Sequence, residues 1–168
     1  MEPLGDSLAT DQRQALEFFF LGLRDVSEHD VDRDELLYNA SVLAHFSQVS
    51  TRSSLGMPTS ATLSTVFDSF VTDTTLHGDG EMMETAAAQC LLLAGFFENQ
   101  MRRRHNIAWY AQIGASFFSR AAARQQSQRK AQLLETLARN FEPWRQRHAR
   151  LSRELRDLPY VLPPPSMP

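Results

Sequence analysis

Cysteine is nearly absent: Cys90 stands alone in 168 residues. One thiol cannot close an internal disulfide, and a four-cysteine zinc site is excluded. The expected setting is a reducing cytoplasm. Lysine is as scarce, since 16 of the 17 basic residues are arginine. Long apolar runs are also missing. The longest, Cys90 to Phe97, has eight residues, whereas a membrane-spanning helix needs about 18 or more. The opening Met1-Glu2-Pro3-Leu4-Gly5-Asp6 has no basic stretch leading into an apolar one, so no secretory leader is expected. No sustained alternation of apolar and polar residues marks a strand.

The usual catalytic signatures are missing as well: no G-x-S-x-G, no P-loop and no dinucleotide fingerprint. Helical metal-ligand pairs of the forms Glu-x-x-His, His-x-x-x-His and His-Glu-x-x-His do not occur. No cofactor and no metal are expected, and an enzymatic role is not the leading expectation. Cys90 lies in Ala-Gln-Cys-Leu-Leu-Leu, an apolar helix face where a thiol is inert packing.

Charge, by contrast, is abundant and uneven. The net charge is −3, yet residues 1–100 hold 16 acids against four bases, and residues 101–168 hold 13 bases against four acids. Such asymmetry implies either an anionic partner for the basic half or contact between the halves.

Helical periodicity runs through nearly the whole chain. Thr10-Asp11 offers a helix start, followed by Leu16, Phe19, Phe20 and Leu23 at helical spacing. Phe18 and Leu21 fall on the other side, so this helix is apolar nearly all round and is either deeply buried or covered by a partner. Acids from Asp30 to Glu35 open a second helix, whose inner face carries Leu36, Leu37, Ala40, Leu43, Ala44 and Phe46. A loop through Gly56 and Pro58 leads to a short helix with Leu63, Val66, Phe67 and Phe70. Asp79 or Thr75 can cap the next one, whose stripe is Met83, Ala87, Cys90, Ala94, Phe97 and Met101. The phase breaks at Arg102-Arg103-Arg104-His105-Asn106, and a new stripe begins with Ile107, Tyr110, Gly114, Phe117 and Ala121. This predicts two antiparallel helices joined by a polar corner.

The cleanest pattern comes last. Leu134, Leu137, Phe141, Trp144, His148, Leu151, Leu155 and Leu158 alternate spacings of three and four. That is a heptad seam, as in a coiled coil. Pro143 falls inside it, and because the phase survives, a kinked helix is expected there. The tail, residues 159–168, is proline-rich and expected to be extended.

Three local patterns invite a chemical reading. Asp73-x-Thr75-x-His77-Gly78-x-x-Glu81-x-x-Glu84 has the spacing of a calcium loop. Its fifth position is a histidine and its eighth is Gly80, so a capped turn is expected instead of an ion site. Glu98 and His105 share a helix side that His45 could join, but Glu98 is better placed for an i,i+4 pair with Arg102. Trp109 beside the arginine corner could stack on a ring, which makes Arg102, Arg103, Arg104 and Trp109 the candidates for anion contact.

The stretch Ala94-Gly95-Phe96-Phe97, then Arg102-Arg103-Arg104, Trp109-Tyr110, Ile113-Gly114 and Phe117-Phe118, resembles a pattern in uncharacterised bacterial helical proteins. It spans residues 94–118. The resemblance implies a bacterial cytosolic protein and brings no activity or site residues with it.

The expected fold is an all-α single domain of five to seven helices over residues 1–158, with a proline-rich tail over 159–168. The expected function is a non-enzymatic interaction module: an adaptor, assembly subunit or homo-oligomer. Its contact residues would be Phe18, Phe19, Leu21, Trp144, His148, Leu151 and Leu155. The partner would be a second copy or another protein, with no membrane. A bundle that binds a small ligand or metal is the alternative, and arginine-driven nucleic-acid binding ranks third.

Overall fold

The computed structural model describes residues 4–27, 30–52, 80–102 and 106–157. Among them the chain forms seven α-helices and no strand: α1 (Leu4–Val26), α2 (Arg33–Arg52), α3 (Gly80–Leu91), α4 (Glu98–Met101), α5 (Ile107–Arg124), α6 (Gln128–Arg139) and α7 (Phe141–Asp157). A π-helical turn, Leu92–Phe96, joins α3 to α4. The architecture is the expected all-α bundle. The segment carrying Leu63, Val66, Phe67 and Phe70 and the proline-rich tail both lie outside the described residues.

Local chemistry sets the ends of the helices. The Asp32 carboxylate accepts the Glu35 backbone N–H at 3.1 Å, satisfying one free amide at the start of α2. Asn106 does the same for Trp109 at the start of α5 (3.2 Å), and Ser127 for Lys130 at the start of α6 (3.4 Å). Helix α1 begins at Leu4, well before the Thr10-Asp11 start signal.

The chain pairs α1 with α2, lays α3 against α5, and follows α5 with α6. The arrangement of α3 and α5 is antiparallel, as the broken stripe predicted. Gly80 faces Arg124 at one end, and Cys90 meets Gly114 further along. A Cβ on Gly114 would lie 2.6 Å from the Phe141 ring and 2.7 Å from Cys90 Cβ, so only glycine lets these elements approach so closely. Helices α2 and α3 run the same way, with Tyr38 bonded to Glu84 in α3 and, further along, Phe46 edge-on to Phe97 just past the π turn.

Helix α7 ties the halves together. It packs against the π turn and also against α1. The bend expected at Pro143 sits three residues upstream, at Asn140. The Asn140 N–H closes α6 on the Thr136 carbonyl, and its own carbonyl accepts the Trp144 N–H that opens α7. Pro143 thereby falls in the first turn of α7, where a missing N–H costs no helix bond. The seam phase is carried across the bend, and Leu134, Leu137, Phe141, Trp144, His148 and Leu151 are all buried.

That burial corrects the interaction assignment. Trp144, His148 and Leu151, expected to meet a partner, are core residues covered by the chain's own helices, and Leu155 is half-buried against the same core. Phe19 is buried, Phe18 is half-buried against the core, and Leu21 keeps 38% of its surface exposed. A heptad period states that a face is covered; it does not state by what.

Candidate functional site

Polar chemistry in the described structure concentrates around α7. On the side toward α2, Glu35 reaches into the bundle. Its Oε1 accepts from Asn140 Nδ2 and from Trp144 Nε1, both at 3.0 Å. One turn on, Asn39 Nδ2 donates to the Glu35 carbonyl at 2.8 Å. That leaves Asn39 Oδ1 as an acceptor, and His148 Nε2 lies 2.8 Å from it. His148 therefore carries its proton on Nε2, and its buried Nδ1 lone pair has no partner among the described residues. Complete burial depresses the His148 pKa to about 3, so the ring is neutral near neutral pH.

On the side toward the π turn the chemistry is ionic. The Phe97 N–H bonds to the Leu92 carbonyl, five residues back, which is the π-turn register. Arg145 Nη1 donates to the Ala94 carbonyl within this turn (3.1 Å) and to Glu98 Oε2 just beyond it (2.6 Å). Its Nε and Nη2 clamp Glu142 at 2.9 and 2.5 Å. The bond to Glu142 is the main cause that raises the Arg145 pKa, and the same bond lowers that of Glu142. Arg102 also bonds to Glu98, the i,i+4 pair read from the sequence, and Arg153 Nη1 stands 4.0 Å from Glu98 Oε1. Gly95 permits the close contact, because a Cβ there would lie 2.8 Å from His148 Cβ and 2.9 Å from the Arg145 carbonyl.

Beside Glu98 opens a cleft of about 350 Å3, walled by Val26, Gln146, Arg147, Arg150 and Arg153. Arg150 Nη1 is anchored on the Val26 carbonyl at 3.2 Å. The Arg147 guanidinium lies 4.5 Å above the centre of the Trp144 ring. Partial burial lowers its pKa, with Glu35 opposing, and no carboxylate among the described residues hydrogen-bonds to it. The arrangement can hold an anion by charge and by guanidinium hydrogen bonds.

The anticipated sites fare differently. Arg102 is exposed and paired to Glu98, while Arg103, Arg104 and His105 lie outside the described residues. Trp109 is exposed at the start of α5, edge-on to Tyr110 at 4.9 Å. Asp73, Thr75, His77 and Gly78 are outside the described residues. Glu84 is bound to Tyr38 (3.0 Å) and Lys130 (3.1 Å). No group of three or more histidine, cysteine or acidic residues among the described residues is placed to hold a metal ion. Cys90 is buried and, as the one cysteine of the chain, forms no internal disulfide. No described helix is long and apolar enough to cross a membrane.

Sequence reasoning missed Glu35 and Asn39 as buried partners and missed the cleft arginines. Asn39 was detectable, since it lies three residues after Leu36 and four before Leu43 on the inner face of α2. The positions of Arg147, Arg150 and Arg153, three apart, mark one side of α7. No protein-family model, curated protein or solved structure matches the chain.

Proposed function

We propose that this chain is a non-enzymatic, cytoplasmic interaction module that holds an acidic segment of another protein in the α7 cleft. The observation that carries this reading is Arg147: half-buried over Trp144, with no hydrogen-bonded acid among the described residues, at the wall of a cleft that Arg150 and Arg153 share. A partly desolvated cation gains most from an incoming anion. Burial of the heptad seam favours a different protein over a second copy as the partner. A buried Cys90 thiol, with no second cysteine to pair with, suits a reducing compartment.

An acidic peptide is favoured over nucleic acid because carboxylates interrupt the basic face. Glu98 forms part of the cleft, and Glu142 and Glu154 flank it on α7. A phosphate track needs a continuous basic stripe. The cleft volume also falls within the range of small-ligand sites, about 300–1,000 Å3, so a small carboxylate or phosphate ligand is the second reading.

Fluorescence anisotropy with labelled octaglutamate tests the proposal. Binding is expected at low salt, weaker as salt rises, and lost in the Arg147→Ala/Arg153→Ala double variant but kept in Arg120→Ala, which changes an exposed arginine of α5 that does not line the cleft. Absence of binding at low salt overturns it. Tighter binding of a generic DNA or RNA strand would replace it with the nucleic-acid reading, and binding of inorganic phosphate alone would favour the small ligand.

A further inference from the structure

Glu98 occupies the place that a guest carboxylate would take. Its side chain is only 10% exposed, yet it forms one wall of the cleft. Three guanidinium groups surround it: Arg102 on Oε1, Arg145 on Oε2 at 2.6 Å, and Arg153 at 4.0 Å from Oε1. These three cations are unequal. Arg145 is almost buried and held independently by Glu142 and the Ala94 carbonyl. Arg102 and Arg153 are 67% and 52% exposed, and Arg153 stands beyond hydrogen-bond distance. One carboxylate thus shares three cations; of its two exposed partners, Arg153 lines the cleft and Arg102 holds Glu98 from outside that lining.

We infer that Glu98 is a resident pseudo-ligand, a built-in carboxylate that competes with the acidic partner for Arg102 and Arg153 and so restrains binding. This rests on the reading of the cleft as an acidic-segment site. A guest carboxylate takes Arg153 first, because that pair is the longest and most easily surrendered. It then draws on Arg102, while Arg145 stays with Glu98, Glu142 and the π turn. Throughout, the negative charge of Glu98 repels the guest across the cleft. The device keeps the free protein's basic cleft partly neutralised and leaves binding to partners that bring several carboxylates at once.

Glu98→Gln removes the charge and keeps the shape. It is expected to bind octaglutamate about tenfold more tightly than wild type, as removal of one close like-charge contact would give. Affinity should also fall more steeply with salt, and Arg153→Ala added to Glu98→Gln should remove most of the gain. Circular dichroism melting accompanies each variant to show that it is folded. Wild-type binding with no gain in a folded Glu98→Gln protein overturns the inference and leaves the cleft reading intact. Failure of both proteins to bind overturns the cleft reading itself. A titration of wild-type protein followed through its arginine side-chain nitrogen resonances needs no variant. Arg102 and Arg153 should shift with bound peptide and Arg145 should not. Shifts confined to Arg147 and Arg150 would also overturn the inference.

Discussion

Toward α2, helix α7 and the Asn140 bend before it present Asn140, Trp144 and His148 to Glu35 and Asn39; toward the π turn and α4, α7 presents Arg145 and Arg153 to Glu98. The first side is sealed, and each donor there has one acceptor in reach. The second is edged by water and oversupplied with cations. A buried hydrogen-bond network of this kind has no slack: removing one member leaves another unpaired in the interior, at about 1–3 kcal/mol. An ionic cluster with exposed members can rearrange, since Arg102 or Arg153 can close on whatever charge is left. Rigidity and adaptability therefore sit on two sides of one helix, and the adaptable side faces the cleft.

The contrast is most forcefully broken at Trp144. Trp144→Ala removes a fully buried ring and the donor to Glu35, and should destabilise the fold by about 3–5 kcal/mol in chemical denaturation. Trp144→Phe keeps most of the volume and isolates the lost hydrogen bond. Were it neutral, the network would be packing only.

Acid gives the next largest effect. The His148 pKa lies near 3 in the folded state and near the ordinary 6.5 once unfolded. Above pH 6.5 the ring is neutral in both states and contributes no pH dependence. Below it, the unfolded chain binds a proton that the fold refuses, so stability falls by about 1.4 kcal/mol per pH unit. The fall should be read between pH 6.5 and 5, above the range of ordinary carboxylates, and His148→Gln should flatten it. An unchanged slope in that variant would mean that another group carries the acid sensitivity.

The ionic side should yield the smallest effect. Arg145→Met leaves Glu98 to Arg102 and Arg153, and should cost about 1 kcal/mol, shrinking as salt is raised. A loss as large as that of Trp144→Ala would show that this side is as inflexible as the other.

Much of this was legible in the sequence, and the rest was hidden for identifiable reasons. The stripes of α2, α3 and α5 and the seam of α6 and α7 mark residues that are buried or, at Leu37, Phe46, Phe97, Ile107 and Leu155, half-buried, because periodicity reports which side of a helix is covered; Leu158, the last seam position, lies outside the described residues. Periodicity is silent about the neighbour, so Trp144 and His148 were assigned to a partner when their neighbours are Glu35 and Asn39 of the same chain. The Glu98–Arg102 pair could be read because it is local. The Glu98–Arg145 pair could not, because its members are far apart in sequence. The charge asymmetry did carry the answer in outline: Asp34 meets Arg129, Glu84 meets Lys130, and Glu98 meets Arg145, so acids of the first hundred residues find bases of the remainder.

The π turn acts as a phase shifter. Each residue of an α-helix advances its direction by about 100°, so the extra residue wound into Leu92–Phe96 swings everything after it by roughly that angle relative to an unbroken helix. Glu98 is the second residue past the turn, and its bearing on Arg145 depends on that offset. Excising one residue between 92 and 96 would straighten the rod and point Glu98 elsewhere, uncoupling it from α7 without altering a single charge.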